Sequence, residues 1–456
     1  MKKVFIIRSL ILGFFIFFSA ISLNCRKQYN EAAANVVPDF FQSDTTISYP
    51  APVSWTHSEF QMFSYSIGYN LKNTTDLINL FQPIKDAGID YFGPYYGVTQ
   101  PDENSPSVLA ALQVGLQYAY LLPVIGQDGQ NQVSFVNNNL PVSSADVQLQ
   151  VTAMVNSVLS NQVLNKVVGI WYISPEELRP WKQNELQYLS DVRSAIIAAE
   201  KSKGISHKPI FSYQPNNRDS LALQNFTKTG AVDSRYDIVS RGAYTYGYND
   251  ISATSIIQTG AWSVYGGSQN GRNYSPLIGF NVDRDPTDPL TSDKQIRLLF
   301  RNRFYLSIAY GVKGASIWSW ATRTNPDGSK LTRPWRDRFW NIWIGLFREL
   351  NKTTPNLASA IISGQTGRKD AIKCINLQGS STSPVLQDFY LDGVHYVIVV
   401  NTAVTSLNNL KLSGIPNTHA SLIELLNDKN TLPITPDYYF NLDVAQVRIF
   451  AISYKP

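Results

Sequence analysis

Four carboxylates sit where chemistry could use them. Glu176 and Glu177 follow the apolar run KVVGIWYIS that starts at Lys166; Asp283 closes the run PLIGFNVD from Pro276, with Asp285 two residues further on. Other short apolar runs end in Tyr95 and Tyr96, Gln127 and Asp128, Gln214, Tyr244 and Tyr246, and Trp318 and Trp320, while Tyr172 lies inside the run before Glu176. Two carboxyls in different surroundings can divide acid and base work, one protonating a leaving oxygen and the other attacking or activating water. Glycosidic bond cleavage needs that pair. Aromatic rings offer apolar platforms to the C–H faces of sugar rings, and amides and phenols hydrogen-bond hydroxyls. Each piece also has an ordinary explanation. PEELRPW could be an acidic helix start favoured by the helix dipole, NVDRDPTDP a set of turn formers before prolines, and the rings core filling. The shared position at the ends of several separate runs favours a site.

The elements that must position these residues alternate. Between Trp55 and Leu350, eight candidate strands begin at Met62, Ile89, Tyr118, Lys166, Pro209, Asp237, Pro276 and Val312. Amphipathic stretches lie between them. TDLINLFQPIKDAG from Thr75 opens on a Thr N-cap and closes at Gly88, and DVRSAIIAAEKSKG from Asp191 ends at Gly204. DKQIRLLFRNRFYLSIAYG from Asp293 places Ile296, Leu299, Phe300, Phe304 and Ile308 near one face. This pattern predicts a (β/α)8 barrel, with no Gly-rich phosphate loop to favour an open doubly wound sheet. In a barrel, functional groups collect at the C-terminal ends of the strands, where the residues above fall. The register of a strand end cannot be fixed to one residue, so Glu176 and Glu177 are alternatives. After Leu350 the pattern changes to short strands and turns with no helix signal, which predicts a small antiparallel β-sandwich. The expected division is 1–24 leader, 25–54 tether, 55–353 barrel and 354–456 sandwich.

RFYLSIAYGVKGASIWSWA resembles the last helix and eighth strand of many (β/α)8 glycoside hydrolases, and GIWYISPEELRPW resembles the fourth-strand region of the large retaining clan. The C-terminal VIVVN and VRIFAI are similar to the accessory sandwich that closes such chains. The resemblance implies an acid/base role for Glu176, with Glu177 as the alternative, and a nucleophile role for Asp283; their places at or near strand ends make Tyr95, Tyr96, Asp128, Tyr172, Gln214, Tyr244, Tyr246, Trp318 and Trp320 the candidates for contacting sugar. The chain departs from the clan pattern in two places. Ser174 and Pro175 precede Glu176 where the clan has Asn before its Glu, and Asp283 stands where the clan has Glu. These departures leave open a second reading, a glycan-binding protein with a degenerate barrel.

The remaining features limit the setting. Residues 1–24 combine a basic start with an apolar run from Ser9 to Ile21 and then Cys25, the pattern of a secretory leader whose ISLNC ending resembles a lipobox. The expectation is a lipid-anchored protein of the bacterial cell envelope, acylated at Cys25 and held off the membrane by the tether. The 456 residues carry a net charge of +5, which falls to +2 without Lys2, Lys3 and Arg8 of the leader. That is too little for a nucleic-acid binder, which needs a clustered basic face. Cys25 and Cys374 are the only cysteines, so no disulfide framework is expected and Cys374 should pack in a core. His57, His207, His395 and His419 show no metal-binding spacing, and no G-x-S-x-G elbow occurs. The expectation is therefore no metal, no cofactor, a carbohydrate partner and a monomer.

Overall fold

The computed structural model describes residues 61–64, 68, 71–94, 100–122, 143–173, 183–214, 223, 235–244, 252–265, 275–281, 292–318, 333–366, 372–377, 383–415, 419–426, 432 and 437–454. All lie in one compact unit, Tyr49–Pro456. The eight expected strands are present as β1 (Gln61–Ser64), β2 (Tyr91–Phe92), β3 (Gln117–Leu122), β4 (Val168–Ile173), β5 (Ile210–Gln214), β6 (Ile238–Gly242), β7 (Ser275–Asn281) and β8 (Gly314–Trp318). They form one parallel sheet in the order β1-β8-β7-β6-β5-β4-β3-β2. The two end strands, β1 and β2, also approach each other, so the sheet curls round on itself. This is a (β/α)8 barrel.

The helices between the strands are α1 (Thr74–Asp86), α2 (Pro106–Val114), α3 (Ser144–Ser160), α4 (Leu164–Val167), α5 (Gln183–Ser202), α6 (Ser252–Tyr265), α7 (Asp293–Ala309) and α8 (Arg333–Arg348). The cap of α1 is Asn73 rather than the expected Thr, because the Asn73 side chain accepts the Thr75 N–H at 2.7 Å. Helix α5 starts eight residues before Asp191, so the sequence window took only its second half. Strand β4 is buried on both faces: Ile170 and Tyr172 face the barrel interior, Trp171 and Ile173 the helices. A strand covered on both sides reads as a continuous apolar run, which is why VGIWYI shows no alternation.

The C-terminal part contains a five-stranded antiparallel sheet, β9 (Gln365–Thr366), β11 (Val385–Leu391), β12 (Val394–Val400), β14 (His419–Glu424) and β16 (Val447–Tyr454), and a three-stranded one, β10 (Lys373–Asn376), β13 (Leu407–Ser413) and β15 (Tyr438–Leu442). They pack as a small β-sandwich whose core holds Val397, Val399, Leu410, Leu412, Phe440 and Phe450. The opposite face of the five-stranded sheet, with Tyr396, Ile398, Val400 and Ile449, joins the barrel's own core. Cys374 lies half-buried against the sandwich core, where burial pushes its thiol up to about 12.

Two expectations need correction. A π-turn (Glu349–Thr353) and a further helix, α9 (Pro355–Ser363), precede the first sandwich strand, where no helix was expected. Pro355 at the first helical position was the available signal. Helix α7 buries its expected face, but Asn302, Arg303, Tyr305, Leu306 and Ser307 are buried too. The sandwich covers that side. Asn302 Nδ2 donates to the backbone carbonyls of Asn401 at 2.8 Å and Ala445 at 3.1 Å, pinning the barrel helix to the sandwich.

Candidate functional site

Strand alternation sorts the barrel residues. Facing the interior are Ala119 and Leu121 on β3, Ile170 and Tyr172 on β4, Phe211 and Tyr213 on β5, Ile238 on β6 and Leu277 on β7, with Tyr91 and Tyr244 packed against them. Tyr172 is fully buried, its ring 5.1 Å from that of Phe211. Among the described residues, the polar groups that face this interior are uncharged. The Tyr213 hydroxyl donates to the Tyr244 hydroxyl at 2.6 Å, and the hydroxyls of Ser240 and Ser316 meet at 2.7 Å. Gly279 makes room for both pairs. A Cβ there would stand 3.0 Å from the Tyr213 ring, 3.1 Å from Ser316 Oγ and 3.2 Å from Gly242 Cα.

The edges of this interior are set by strand ends. At the end of β2, Gly93 has φ +84 and a Cβ there would stand 2.6 Å from the Tyr118 ring, so only glycine fits. The Gly93–Pro94 peptide is cis. The chain returns at Gln100, whose side-chain oxygen accepts the Tyr118 hydroxyl at 2.7 Å and the Leu121 N–H at 3.2 Å, tying the segment back to β3. Burial, then the Asp90 charge, push the Tyr91 hydroxyl up to about 12, so it remains a donor at neutral pH.

Of the expected site residues, the structure brings Tyr172 and Tyr244 into the interior cluster. Gln214 lies on the other strand face from Tyr213, buried, with Nε2 donating to Ser212 Oγ at 3.1 Å. Position 318 pairs in register with Asn281 at the end of β8, and its side chain lies outside the described residues. Cys25, Tyr95, Tyr96, Asp128, Glu176, Glu177, Tyr246, Asp283 and Trp320 lie outside the described residues. Tyr213, Ser240 and Ser316 were not singled out from the sequence. For Ser240 and Ser316 the signal was alternation, since they stand four and two residues before the candidates Tyr244 and Trp318; Tyr213 lies on the face opposite the candidate Gln214.

A second polar cluster lies at the opposite, N-terminal ends of β5 and β6. Arg193 on α5 forms a two-pronged pair with Asp237, Nη1 to Oδ2 and Nη2 to Oδ1 both at 3.1 Å. His207 bridges two acids, Nδ1 at 2.7 Å from Glu200 Oε2 and Nε2 at 3.0 Å from Asp237 Oδ2. Glu200 Oε1 also accepts Trp171 Nε1 at 2.8 Å and the Lys208 N–H at 3.0 Å, and Asp237 Oδ2 accepts the Ile210 N–H at 2.8 Å. Both imidazole nitrogens can donate only in the protonated ring. Burial alone would lower the His207 pKa, but the hydrogen bonds and charges of Asp237 and Glu200 outweigh it and hold it at about 9. Burial would raise Asp237, yet its bonds to His207 and Arg193 keep it below the ordinary carboxylate value.

No family model and no curated protein matches the sequence. Solved structures do match. An α-amylase from Anoxybacillus aligns with TM-score 0.50 at 12% identity, covering 88% of this chain and 98% of that one. The AmyP structure in complex with maltose aligns with TM-score 0.52 at 11% identity, over 86% and 96%. A glycoside hydrolase family 5 protein from Bacteroides vulgatus aligns with TM-score 0.53 at 10% identity, over 87% and 89%. This chain has the fold of the barrel glycoside hydrolases. The resemblance covers the C-terminal sandwich as well as the barrel, since both chains are matched over most of their length.

Proposed function

We propose that this protein is a glycoside hydrolase that cleaves a poly- or oligosaccharide outside the cytoplasm. The observation that carries the reading is topological: the segments bearing Glu176, Glu177 and Asp283 leave the sheet at the C-terminal ends of β4 and β7, two strands separated by β5 and β6. That is the end at which barrels place their chemistry. Among the described residues, the interior beneath it offers hydroxyls and rings rather than charge, a floor suited to a neutral sugar. Glu176, or its neighbour Glu177, then acts as the acid and Asp283 as its partner, with Tyr244 and the tryptophans at 318 and 320 against the sugar. The leader and Cys25 support an envelope location with a lipid anchor; one acyl chain holds a protein only marginally, so stable anchoring takes more than one.

A screen of the purified chain against a glycan panel tests the reading. Glu176→Gln and Asp283→Asn are each expected to cut turnover by orders of magnitude while glycan binding persists, because each swap removes charge or proton at nearly constant shape. Full activity in Glu176→Gln hands the acid role to Glu177. Glycan binding without turnover in the unmodified chain replaces the enzyme reading with the binding protein that the Ser174-Pro175 departure allows.

A further inference from the structure

The three-stranded sheet turns one face into the sandwich core and the other to solvent. On the solvent face the strand register aligns Ile375 of β10, Lys411 of β13 and Tyr439 of β15 in one row. Adjacent strands lie about 4.8 Å apart, so the row runs about 10 Å from Ile375 to Tyr439. Tyr439 is 58% exposed, Leu377 at the end of β10 is 52% exposed and Ile375 is 43% exposed. Single exposed apolar residues are ordinary on a surface. The polar groups set among these are what give the face a chemistry. Lys411 Nζ lies 2.6 Å from Asp437 Oδ2, so its charge is neutralised within the row. The register slips between Leu407 and Leu410, where Asn409 takes φ +52 and its N–H donates to Asn441 Oδ1 at 3.0 Å. That bond commits the amide oxygen of Asn441 and leaves its NH2 as the donor, on the same strand face as Tyr439 and two residues along.

We propose that this face binds a neutral polysaccharide chain, with Tyr439 as the ring platform, Ile375 as a second apolar contact and Asn441 as the hydroxyl ligand. A sugar chain alternates apolar C–H faces with hydroxyls, and the row alternates in the same way. A protein partner would need a contiguous apolar centre, and the Lys411–Asp437 pair divides Ile375 from Tyr439. An acidic polymer would need clustered unpaired cations, and the lysine in the middle of this row is paired. The site belongs to the sandwich and does not depend on the barrel being catalytic.

Native gel electrophoresis of the full chain, held in mild non-ionic detergent, through gels cast with soluble starch, mixed-linkage β-glucan, arabinoxylan or galactomannan reads this binding as retardation. At least one of the four should retard the protein. Tyr439→Ala should weaken that affinity about tenfold, a loss near 1.4 kcal/mol, and Asn441→Ala should weaken it by less. Tyr439 is exposed, so the melting curve of Tyr439→Ala should superpose on the parent's, whereas Asn441→Ala also loses the Asn409 N–H bond and should melt slightly lower. Absence of retardation in all four gels overturns the proposal, as does retardation that Tyr439→Ala does not alter. Retardation that Trp320→Ala abolishes and Tyr439→Ala leaves intact assigns the binding to the barrel, which defeats this site and supports the proposed function. A dimer that Tyr439→Ala converts to monomer in sedimentation velocity would make the face a self-association surface instead.

Discussion

At the N-terminal ends of β5 and β6 the barrel buries charge, whereas the upper interior between β5 and β8 buries neutral hydroxyls. The lower cluster balances two cations, Arg193 and His207, against two anions, Glu200 and Asp237, all nearly removed from solvent. Its bonds reach four elements: α5, the segment entering β5, the segment entering β6, and β4 through Trp171. The upper layer contains Tyr213, Tyr244, Ser240 and Ser316, each satisfied by a neighbour of the same kind. Charge is costly to bury unless every partner is in place, and the lower end is where the chain meets that condition. A fixed charge higher up would act through a low dielectric on any carboxyl above it and set its protonation from below. Among the described residues the groups facing this layer are neutral, and the buried Arg241 of β6 lies on the opposite strand face.

The largest expected effect comes from breaking the balance of the lower cluster. Asp237→Asn leaves the Arg193 guanidinium and the His207 ring facing a neutral amide. Removing one partner of a buried pair costs about 3–5 kcal/mol, and denaturant unfolding should show a loss of that size. If the upper interior is independent, any glycan turnover of the folded variant at low temperature should match the parent's. A stability loss within about 0.5 kcal/mol would mean that the network is no more than a solvated surface pair.

His207 predicts a pH dependence in the same cluster. Its ordinary value is 6.5 and the folded protein holds it at about 9. A basic group raised on folding contributes its full stability below pH 6.5 and loses it as pH rises through about 9. Unfolding free energy should therefore fall by about 2–3 kcal/mol between pH 6.5 and 9.5, and His207→Gln should flatten that slope. An unchanged slope in the variant would assign the loss to other groups.

The sequence exposed the barrel better than it exposed either cluster. Strands such as VGIWYI and IFSYQ are short, apolar and bounded, and a parallel sheet covered on both faces leaves no other way to bury them. The lower cluster was harder to see because its members come from Arg193, Glu200, His207 and Asp237, each unremarkable in its own window. One signal existed: Arg193, Ile196 and Glu200 follow i, i+3, i+7 spacing, which sets two charges on the buried stripe of α5. Buried charges on a helix face call for partners. The helix α9 and the all-round burial of the C-terminal half of α7 were hidden for a different reason, since α7 shows an ordinary amphipathic face until the sandwich docks on its polar side through Asn302. Such docking is a tertiary fact with no local period.

The smallest expected effect sharpens the comparison from the upper side. Ser240 and Ser316 lie on β6 and β8, with β7 between them, and their hydroxyls meet because Gly279 has no side chain to intervene. Both residues are almost wholly buried. Ser316→Ala removes one partner and leaves the Ser240 hydroxyl without it, a cost of about 1–3 kcal/mol. Ser240→Ala should cost about the same by the same reasoning. The double variant replaces both hydroxyls with methyl groups and leaves nothing unpaired, so it should be no less stable than either single variant, and a double-mutant cycle reads that coupling directly. This behaviour is peculiar to a neutral pair in a dry layer. If both single variants unfold at the parent's denaturant midpoint, water reaches the hydroxyls from the strand-end side. The upper interior would then be the floor of a wet cavity, and the contrast with the lower cluster would become one of solvent access rather than of charge.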